Sequence, residues 1–399
     1  MGTFELTLTD ELQKAARNFS AVVVTGPRRS GKTTLVRHAN PGASYSLLED
    51  PDLLMRVRAD PRGFLEDLRT PAILDEVQNA PELFGYLRTI IDKSPSKKGR
   101  WFLTGSQEAP LMQGVTESMA GRAALLELLP LSVEETPRVS VLMGGYPEVL
   151  AKPRARDLWF RSYIQTYIER DVRQLLAVRD LSTFRRFMAL VASRVGQMLN
   201  KTDLASPLGV SIPTITEWLS VLETTGVILL VAPYFENLGK RLIKSPKLYL
   251  VDSGLSCHLL GIESERMLAA SPFRGALFEG FVASELAKAQ VNRGRRRELY
   301  YFRDQQGLEV DFLVPEGNAQ FAMIEAKATR TITPSMADSM LKLRSAAKAK
   351  VTRSFVVHIA SKNMDPTVRV VREGVSAVTV NQLVDALYAR RTGRWSGSR

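Results

Sequence analysis

The amino-acid sequence predicts an α/β protein organised around a parallel sheet, and three observations carry that expectation. Up to about residue 135, short aliphatic or β-branched runs at 21–25, 44–48, 72–74 and 101–104 alternate with helical stretches, the pattern of βαβ units. A glycine-rich turn at 26–31 joins the first run to an apolar helix from Thr34 onward. After residue 273 a second group of strand-like runs appears near 299–303, 308–314, 321–326 and 354–359, with helices at 276–289 and 336–347. A chain of 399 residues is too long for one comfortable core, and roughly two to three domains are expected.

The first strand leads into Gly26-Pro27-Arg28-Arg29-Ser30-Gly31-Lys32-Thr33, an intact G-x-x-x-x-G-K-[ST], with Thr34 behind it. Glycines let the backbone curl so that successive N–H groups and the helix N-terminus face an anion. Lys32 then falls on the β- and γ-phosphates of ATP, and the Thr33 hydroxyl on Mg²⁺. One hydroxyl and a few phosphates do not complete a magnesium shell. The run at 71–74 ends in Asp75-Glu76: Asp75 is expected to hold the metal, directly or through water, and Glu76 to polarise the attacking water as general base. The strand at 101–104 ends in Thr104-Gly105-Ser106-Gln107, whose polar groups could sense the γ-phosphate. Arg122 is a candidate for stabilising transition-state charge, within the subunit or in a neighbour, which leaves a homo-oligomer open.

The turns Pro130-Leu131-Ser132 and Gly144-Gly145-Tyr146-Pro147 break the alternation. From 154 to about 204 the text is helical; Tyr163, Thr166, Tyr167, Arg170 and Asp171 share a charged background that reads as a solvated face. A helix at 201–208, a Gly209 turn and a second helix at 211–223 follow, with Ser211 suited to the N-cap and Pro213 to the first turn. Ile212, Ile215, Leu219 and Leu222 give that helix an apolar stripe, and Trp218 reads as core. Gly226 ends it, and runs at 227–231 and 247–251 flank a basic loop. Helix, turn, helix and hairpin make a winged-helix pattern. Thr214, Thr216 and Glu217 lie off the stripe and, with Arg241 and Lys244, are candidates to meet a nucleic-acid groove, Lys247 lying like them in or beside the wing. A protein-docking role is equally open.

Near the C-terminus, Glu309-Val310-Asp311 is followed by Glu325-Ala326-Lys327. Residues two apart share a strand face, so Glu325 and Lys327 point the same way, and a turn at 315–318 brings Asp311 beside them. Glu279, on the preceding helix, offers a further carboxylate. Such a group suits metal-assisted phosphodiester cleavage, with Glu279, Asp311 and Glu325 as Mg²⁺ ligands and Lys327 orienting the nucleophile or offsetting charge. A solvated strand face is the commoner source of Glu-x-Lys with an upstream Asp. The expected division is 1–135, 136–268, 269–388 and a basic tail at 389–399, which lacks apolar periodicity and is expected to be disordered.

Composition narrows the classes. The single Cys257 excludes an internal disulfide framework, and the scattered His38, His258 and His358 offer no metal-ligand cluster. A reducing, cytoplasmic setting is expected. No apolar run approaches the roughly 20 residues of a membrane span. The start, MGTFELTLTDEL, resembles no secretion signal and carries Leu6 where a myristoylation signal needs Ser or Thr. The formal net charge of +12 suits a polyanionic partner, and equally a solubilising surface.

Taken in order, GPRRSGKTTL, ILDEVQNAPELF, LTGSQ and the SMAGR–LLPLS run resemble a prokaryotic AAA-type P-loop ATPase family whose members carry a winged helix and then a nuclease-like domain. Phe278-Glu279-Gly280-Phe281-Val282, Tyr301-Phe302-Arg303, Glu309–Val314 and Ile324–Lys327 are similar to the PD-(D/E)XK restriction-endonuclease-like fold of that family. The resemblance implies ATP and Mg²⁺ as cofactors, a sensor role for Thr104 to Gln107, and Arg122 as the charge-stabilising arginine. The first reading is an ATP-driven enzyme acting on DNA, in which nucleotide state regulates or positions a metal-dependent nuclease-like domain. The alternatives are a nucleotide-switched regulator whose C-terminal domain binds without cleaving, and a winged-helix transcription factor under ATPase control.

Overall fold

The structure, a computed structural model, describes residues 4–106, 117–168, 181–234, 245–347, 351–360 and 368–389. In the N-terminal region five strands, β1 (Ala21–Thr25), β2 (Ser44–Leu47), β3 (Ala72–Asp75), β4 (Trp101–Thr104) and β5 (Ala123–Glu127), form a parallel sheet in the order β2-β3-β4-β1-β5. Strands β1, β3 and β4 are buried at every residue, which is why they read as continuous apolar runs. Alternate residues serve opposite faces. Val22 and Val24 pack with Leu8 and Leu12 of the helix Leu8–Asn18 and with Leu35 and Val36 of Lys32–Ala39. Ala21 and Val23 pack with Leu83, Phe84 and Leu87 of the helix Leu83–Asp92. Because all five strands run the same way, the loops after β1, β3 and β4 emerge at one edge, where open α/β sheets place their ligands.

The remaining strands are β6 (Ile228–Pro233), β7 (Lys247–Leu250), β8 (Tyr300–Arg303), β9 (Glu309–Gly317), β10 (Gln320–Lys327), β11 (Val351–His358), β12 (Arg369–Arg372) and β13 (Val375–Val378). They join in one eight-stranded sheet, ordered β12-β13-β11-β10-β9-β8-β6-β7. The antiparallel hairpin β6–β7 is continuous with the later strands, because β6 pairs with β8 through Ala232–Tyr300 and Pro233–Tyr301. The expected boundary between residues 268 and 269 is thus crossed by a shared sheet, and one hydrophobic cluster runs from Leu129 to Tyr388. Asn318 and Ala319 both have positive φ, 51° and 57°, and Gly317 pairs with Gln320. This is a two-residue hairpin with both central residues left-handed, so β9 continues through Pro315 and the reversal lies at 318–319 rather than at 315–318.

The helix Ile212–Thr224 starts at Ser211, whose Oγ accepts the Thr214 N–H at 3.2 Å. Trp218 is buried, with ring centroids 5.4 Å from Phe184 and 5.0 Å from Phe187. Ile212, expected in the apolar stripe, is 47% exposed at the first helical residue. Tyr163, expected on a solvated face, is buried: its ring stacks on Trp159 and its hydroxyl bonds that of Tyr146 at 2.9 Å. Arg170, Asp171 and the tail at 390–399 lie outside the described residues.

Candidate functional site

The loop after β1 is shaped by its backbone. Gly26 has φ 138°, and a Cβ there would lie 2.1 Å from the Leu128 carbonyl oxygen, so only glycine fits. Arg29 and Gly31 are also at positive φ, 63° and 103°, which curls the chain back before the helix Lys32–Ala39 begins. The Lys32 side chain is buried and its Nζ donates to the carbonyls of Gly26 at 3.1 Å and Pro27 at 2.9 Å. The Ser30 hydroxyl oxygen is buried and has no hydrogen-bond partner among the described residues. An orphaned hydroxyl and a cation turned onto its own loop both fit a site built to receive an anion.

Asp75, at the end of β3, is buried and collects three hydroxyls. Thr33 donates at 2.9 and 3.1 Å to its two oxygens, Tyr45 donates to Oδ2 at 2.7 Å, and Thr104 of β4 donates to Oδ1. Burial and then the bond to Asp75 push the Tyr45 phenol up from its ordinary value, so it stays a donor. A hydroxyl beside a carboxylate is a hard-oxygen pair that fits Mg²⁺. Glu76 follows at φ 56° and accepts Gln78 Nε2 at 2.5 Å, with Arg28 NH1 4.0 Å away. The same Gln78 nitrogen donates to Ser106 Oγ at 3.2 Å, linking the ends of β3 and β4. Gln107 lies outside the described residues.

Residues 28–34 together with Tyr45, Leu47, Glu49, Asp75 and Glu76 line one side of a cavity of about 540 Å³, within the range of small-molecule sites. Its other wall was not read from the sequence: Phe4, Leu6, Leu131, Pro147, Glu148 and Ala151 complete it. Glu148 ties this wall to the loop, accepting Arg29 NH1 at 3.0 Å on one oxygen and Trp159 Nε1 at 2.5 Å on the other. Gly226, after the helix Ile212–Thr224, lies so close that a Cβ would sit 2.8 Å from Pro27 Cγ. The one sequence signal for this wall was the pair of breaks at 130–132 and 144–147. Arg122 does not line the cavity; its guanidinium grips Asp92 of the same chain at 2.6 and 2.9 Å.

The second constellation sits on β9, β10 and the helix Arg274–Val291. Asp311 Oδ2 accepts the Ala326 N–H at 2.8 Å, and Lys327 Nζ donates to Glu325 Oε1 at 2.6 Å. Glu325 Oε2 is buried without a partner among the described residues. The central residue of this cluster is one that the sequence places elsewhere. Lys247, placed beside the wing, is buried, and its Nζ lies 2.8 Å from Glu279 Oε1, 2.6 Å from Glu309 Oε1 and 3.8 Å from Asp311 Oδ1. Tyr249 donates to the same Glu279 oxygen at 2.5 Å. Burial acts to lower the Lys247 pKa, but Glu279, Asp311 and Glu309 outweigh it and raise it. Burial, then Glu279 and Glu325, hold Asp311 well above the usual carboxylate range.

This arrangement does not fit a divalent cation as it stands. An ammonium already lies among the oxygens, and among the described residues no three His, Cys, Asp or Glu side chains converge to hold a metal. The expectation that Glu279, Asp311 and Glu325 together ligate Mg²⁺ is corrected accordingly. Of the groove candidates, Thr214 shares its hydroxyl with Ser211 at 2.9 Å, and the exposed Thr216 donates to the Ile212 carbonyl at 3.0 Å. Arg241 and Lys244 lie outside the described residues. Among the described residues, no helix is long and apolar enough to cross a membrane.

Residues 18–136 match the AAA domain family, residues 135–266 a domain of unknown function (DUF8612), and residues 274–375 another (DUF4143). The chain is 34% identical over 336 residues to two uncharacterized proteins, Mb2031c of Mycobacterium bovis and Rv2008c of Mycobacterium tuberculosis. Each match covers 82% of this chain and 74% of the relative. Among solved structures it resembles the Walker-type ATPase of Pyrococcus abyssi at a TM-score of 0.42 and 15% identity, over 63% of this chain and 94% of that one, a likeness too loose to bear on function. The chain belongs to the family of these two mycobacterial proteins, and its N-terminal region is an AAA-type P-loop ATPase domain.

Proposed function

We propose that the chain binds Mg·ATP in the cleft at the ends of β1, β3 and β4, hydrolyses it, and uses the nucleotide state to control how its C-terminal half engages DNA. The observation that carries the reading is the convergence of Lys32, Thr33 and Asp75 on one cavity. Lys32 exchanges the carbonyls of Gly26 and Pro27 for the β- and γ-phosphate oxygens. Thr33 and Asp75 would hold the magnesium, which would supply charge neutralisation at the phosphates. Glu76 takes the proton of the attacking water, and Gln78, bonded to both Glu76 and Ser106, fixes that carboxylate's direction. Arg122 serves the site of a neighbouring copy in a homo-oligomer, after leaving Asp92 of its own chain.

For the C-terminal region the reading is binding without cleavage, because Lys247 occupies the place among the acids where catalytic metal would be needed. A net charge of +12 supports a DNA partner through phosphate neutralisation, and the helix Ile212–Thr224 with the hairpin β6–β7 supports a winged helix as the contacting element. The cytoplasm, with its ATP and reduced thiols, is the compartment this function requires.

The test combines calorimetry with Mg·ATP and phosphate release for wild type, Lys32→Ala and Glu76→Gln. Lys32→Ala should lose both signals. Glu76→Gln should keep binding and lose hydrolysis by about 10²- to 10⁴-fold. No heat with wild type, or equal heat with Lys32→Ala, overturns the ATP site. Magnesium-dependent DNA degradation by wild type, absent in Asp311→Ala, overturns binding without cleavage.

A further inference from the structure

The acids of the C-terminal cluster are arranged around an ammonium rather than around open space. Glu279, Glu309, Asp311 and Glu325 face Lys247, Lys327 and Arg303, and Lys247 alone reaches three of the four carboxylates. Its side chain is only 3% exposed. Burying a cation this deeply costs several kcal/mol, which only close acids offset. Packing alone would be served better by an apolar residue. The Lys247–oxygen distances of 2.6 and 2.8 Å exceed metal–oxygen bonds by roughly half an ångström. A bare cation in the same position therefore needs only a small inward movement of Glu279 and Glu309. Tyr249, bonded to Glu279, and the Ala326 N–H, bonded to Asp311, already hold two of these carboxylates in place.

We infer that Lys247 is a tethered cation standing where a divalent metal would sit, and that its removal converts Glu279, Glu309 and Asp311 into a divalent-cation site. The inference rests on the reading that this region works without a resident metal. It assigns a chemical role to β7, which carries Lys247 into the cluster at the edge of the eight-stranded sheet. Removing Lys247 leaves four carboxyl groups against Lys327 and Arg303, a deficit that one divalent ion fills.

The experiment titrates Mn²⁺ into the nucleotide-free full-length chain by calorimetry. It compares wild type, Lys247→Gln, Lys247→Arg, Glu279→Gln, and Lys247→Gln combined with Glu279→Gln. Metal held by Thr33 and Asp75 is common to all five and cancels in the comparison. Lys247→Gln should gain one Mn²⁺ per chain, bound at least tenfold more tightly than any cluster binding in wild type. Lys247→Arg should gain none, and the double variant should lose the gain. A folded Lys247→Gln with no added site, or a double variant that keeps it, overturns the inference. If Lys247→Gln does not fold in metal-free buffer, recovery on refolding with Mn²⁺ but not with K⁺ supports it, and failure in both overturns it. Mn²⁺ bound by wild type and lost in Glu279→Gln overturns the metal-free reading as well, so the two failures are told apart.

Discussion

Replacing Tyr45 with phenylalanine tests whether Asp75 is held for magnesium by its hydroxyl neighbours. The Tyr45 hydroxyl lies 2.7 Å from Asp75 Oδ2, while the residue remains 38% exposed. A hydrogen bond to a charged group contributes about 1.5–3 kcal/mol. Water replaces part of it at a partly exposed residue, leaving about 1 kcal/mol. That is about a fivefold change in an equilibrium or rate constant. The ring stays in place beneath Arg37, whose guanidinium lies 4.7 Å from its centroid, so the cavity wall is kept. Asp75 also keeps Thr33 and Thr104. Tyr45→Phe should therefore need about five times more Mg²⁺ for half-maximal ATP hydrolysis, with ATP saturating. The assay is steady-state phosphate release against Mg²⁺ concentration, with Thr33→Ala as the reference for a larger loss. An unchanged Mg²⁺ requirement would refute the reasoning, as would a loss as complete as that of Lys32→Ala.

Three further outcomes are expected. Gly226→Ala places a Cβ at φ 71° and 2.8 Å from Pro27 Cγ; it should cost about 1–3 kcal/mol in thermal unfolding and weaken Mg·ATP binding, and an unaltered affinity would disconnect this turn from the phosphate loop. Trp218→Ala empties the space between Phe184 and Phe187 and should cost about 3–5 kcal/mol in denaturant unfolding; a loss below about 1 kcal/mol would show that the site collapses around the hole. Asp252 is fully enclosed, and burial raises its pKa against the pull of Lys288 and the N–H groups of Gly145 and Leu255. A raised carboxyl favours folding while protonated, so its contribution is whole below the unfolded value of about 3.9 and is lost as pH rises through the folded value. Asp252→Asn should flatten that decline in urea midpoints measured from about pH 4 to 7, and parallel slopes for the two proteins would rule the assignment out.

The phosphate loop, Asp75 and the strands around them were legible because each depends on local signals: a glycine spacing, buried aliphatic runs and the residue types that magnesium and phosphate demand. Strand β5 was missed because Ala123 and Ala124 carry little strand preference and Leu125 is exposed at the sheet edge. Tyr45 was passed over because its partner lies thirty positions away on a neighbouring strand, and sequence spacing says nothing about which strands pair. The same holds for Lys247, which reads as one more basic residue near a wing until β6 pairs with β8 and draws the hairpin into the later sheet. Glu148 and Leu131 came from segments noticed only as interruptions. Their place in the cavity wall is a tertiary fact: Leu131 is held by the helix Arg274–Val291, whose Lys288 donates to its carbonyl at 3.0 Å and whose Glu285 accepts the Val133 N–H at 2.8 Å, and Glu148 by Arg29 and Trp159.

The pairing of β6 with β8 has a mechanical result. A chain cut after residue 268 would expose an unpaired strand edge and split a common apolar interior, so neither fragment is a fair proxy for its half of the molecule. In the intact protein the same seam joins the hairpin and the later strands into one hydrogen-bonded sheet. Pro27 of the phosphate loop abuts Gly226 two residues before β6 begins, so the nucleotide cleft and this sheet meet at that turn.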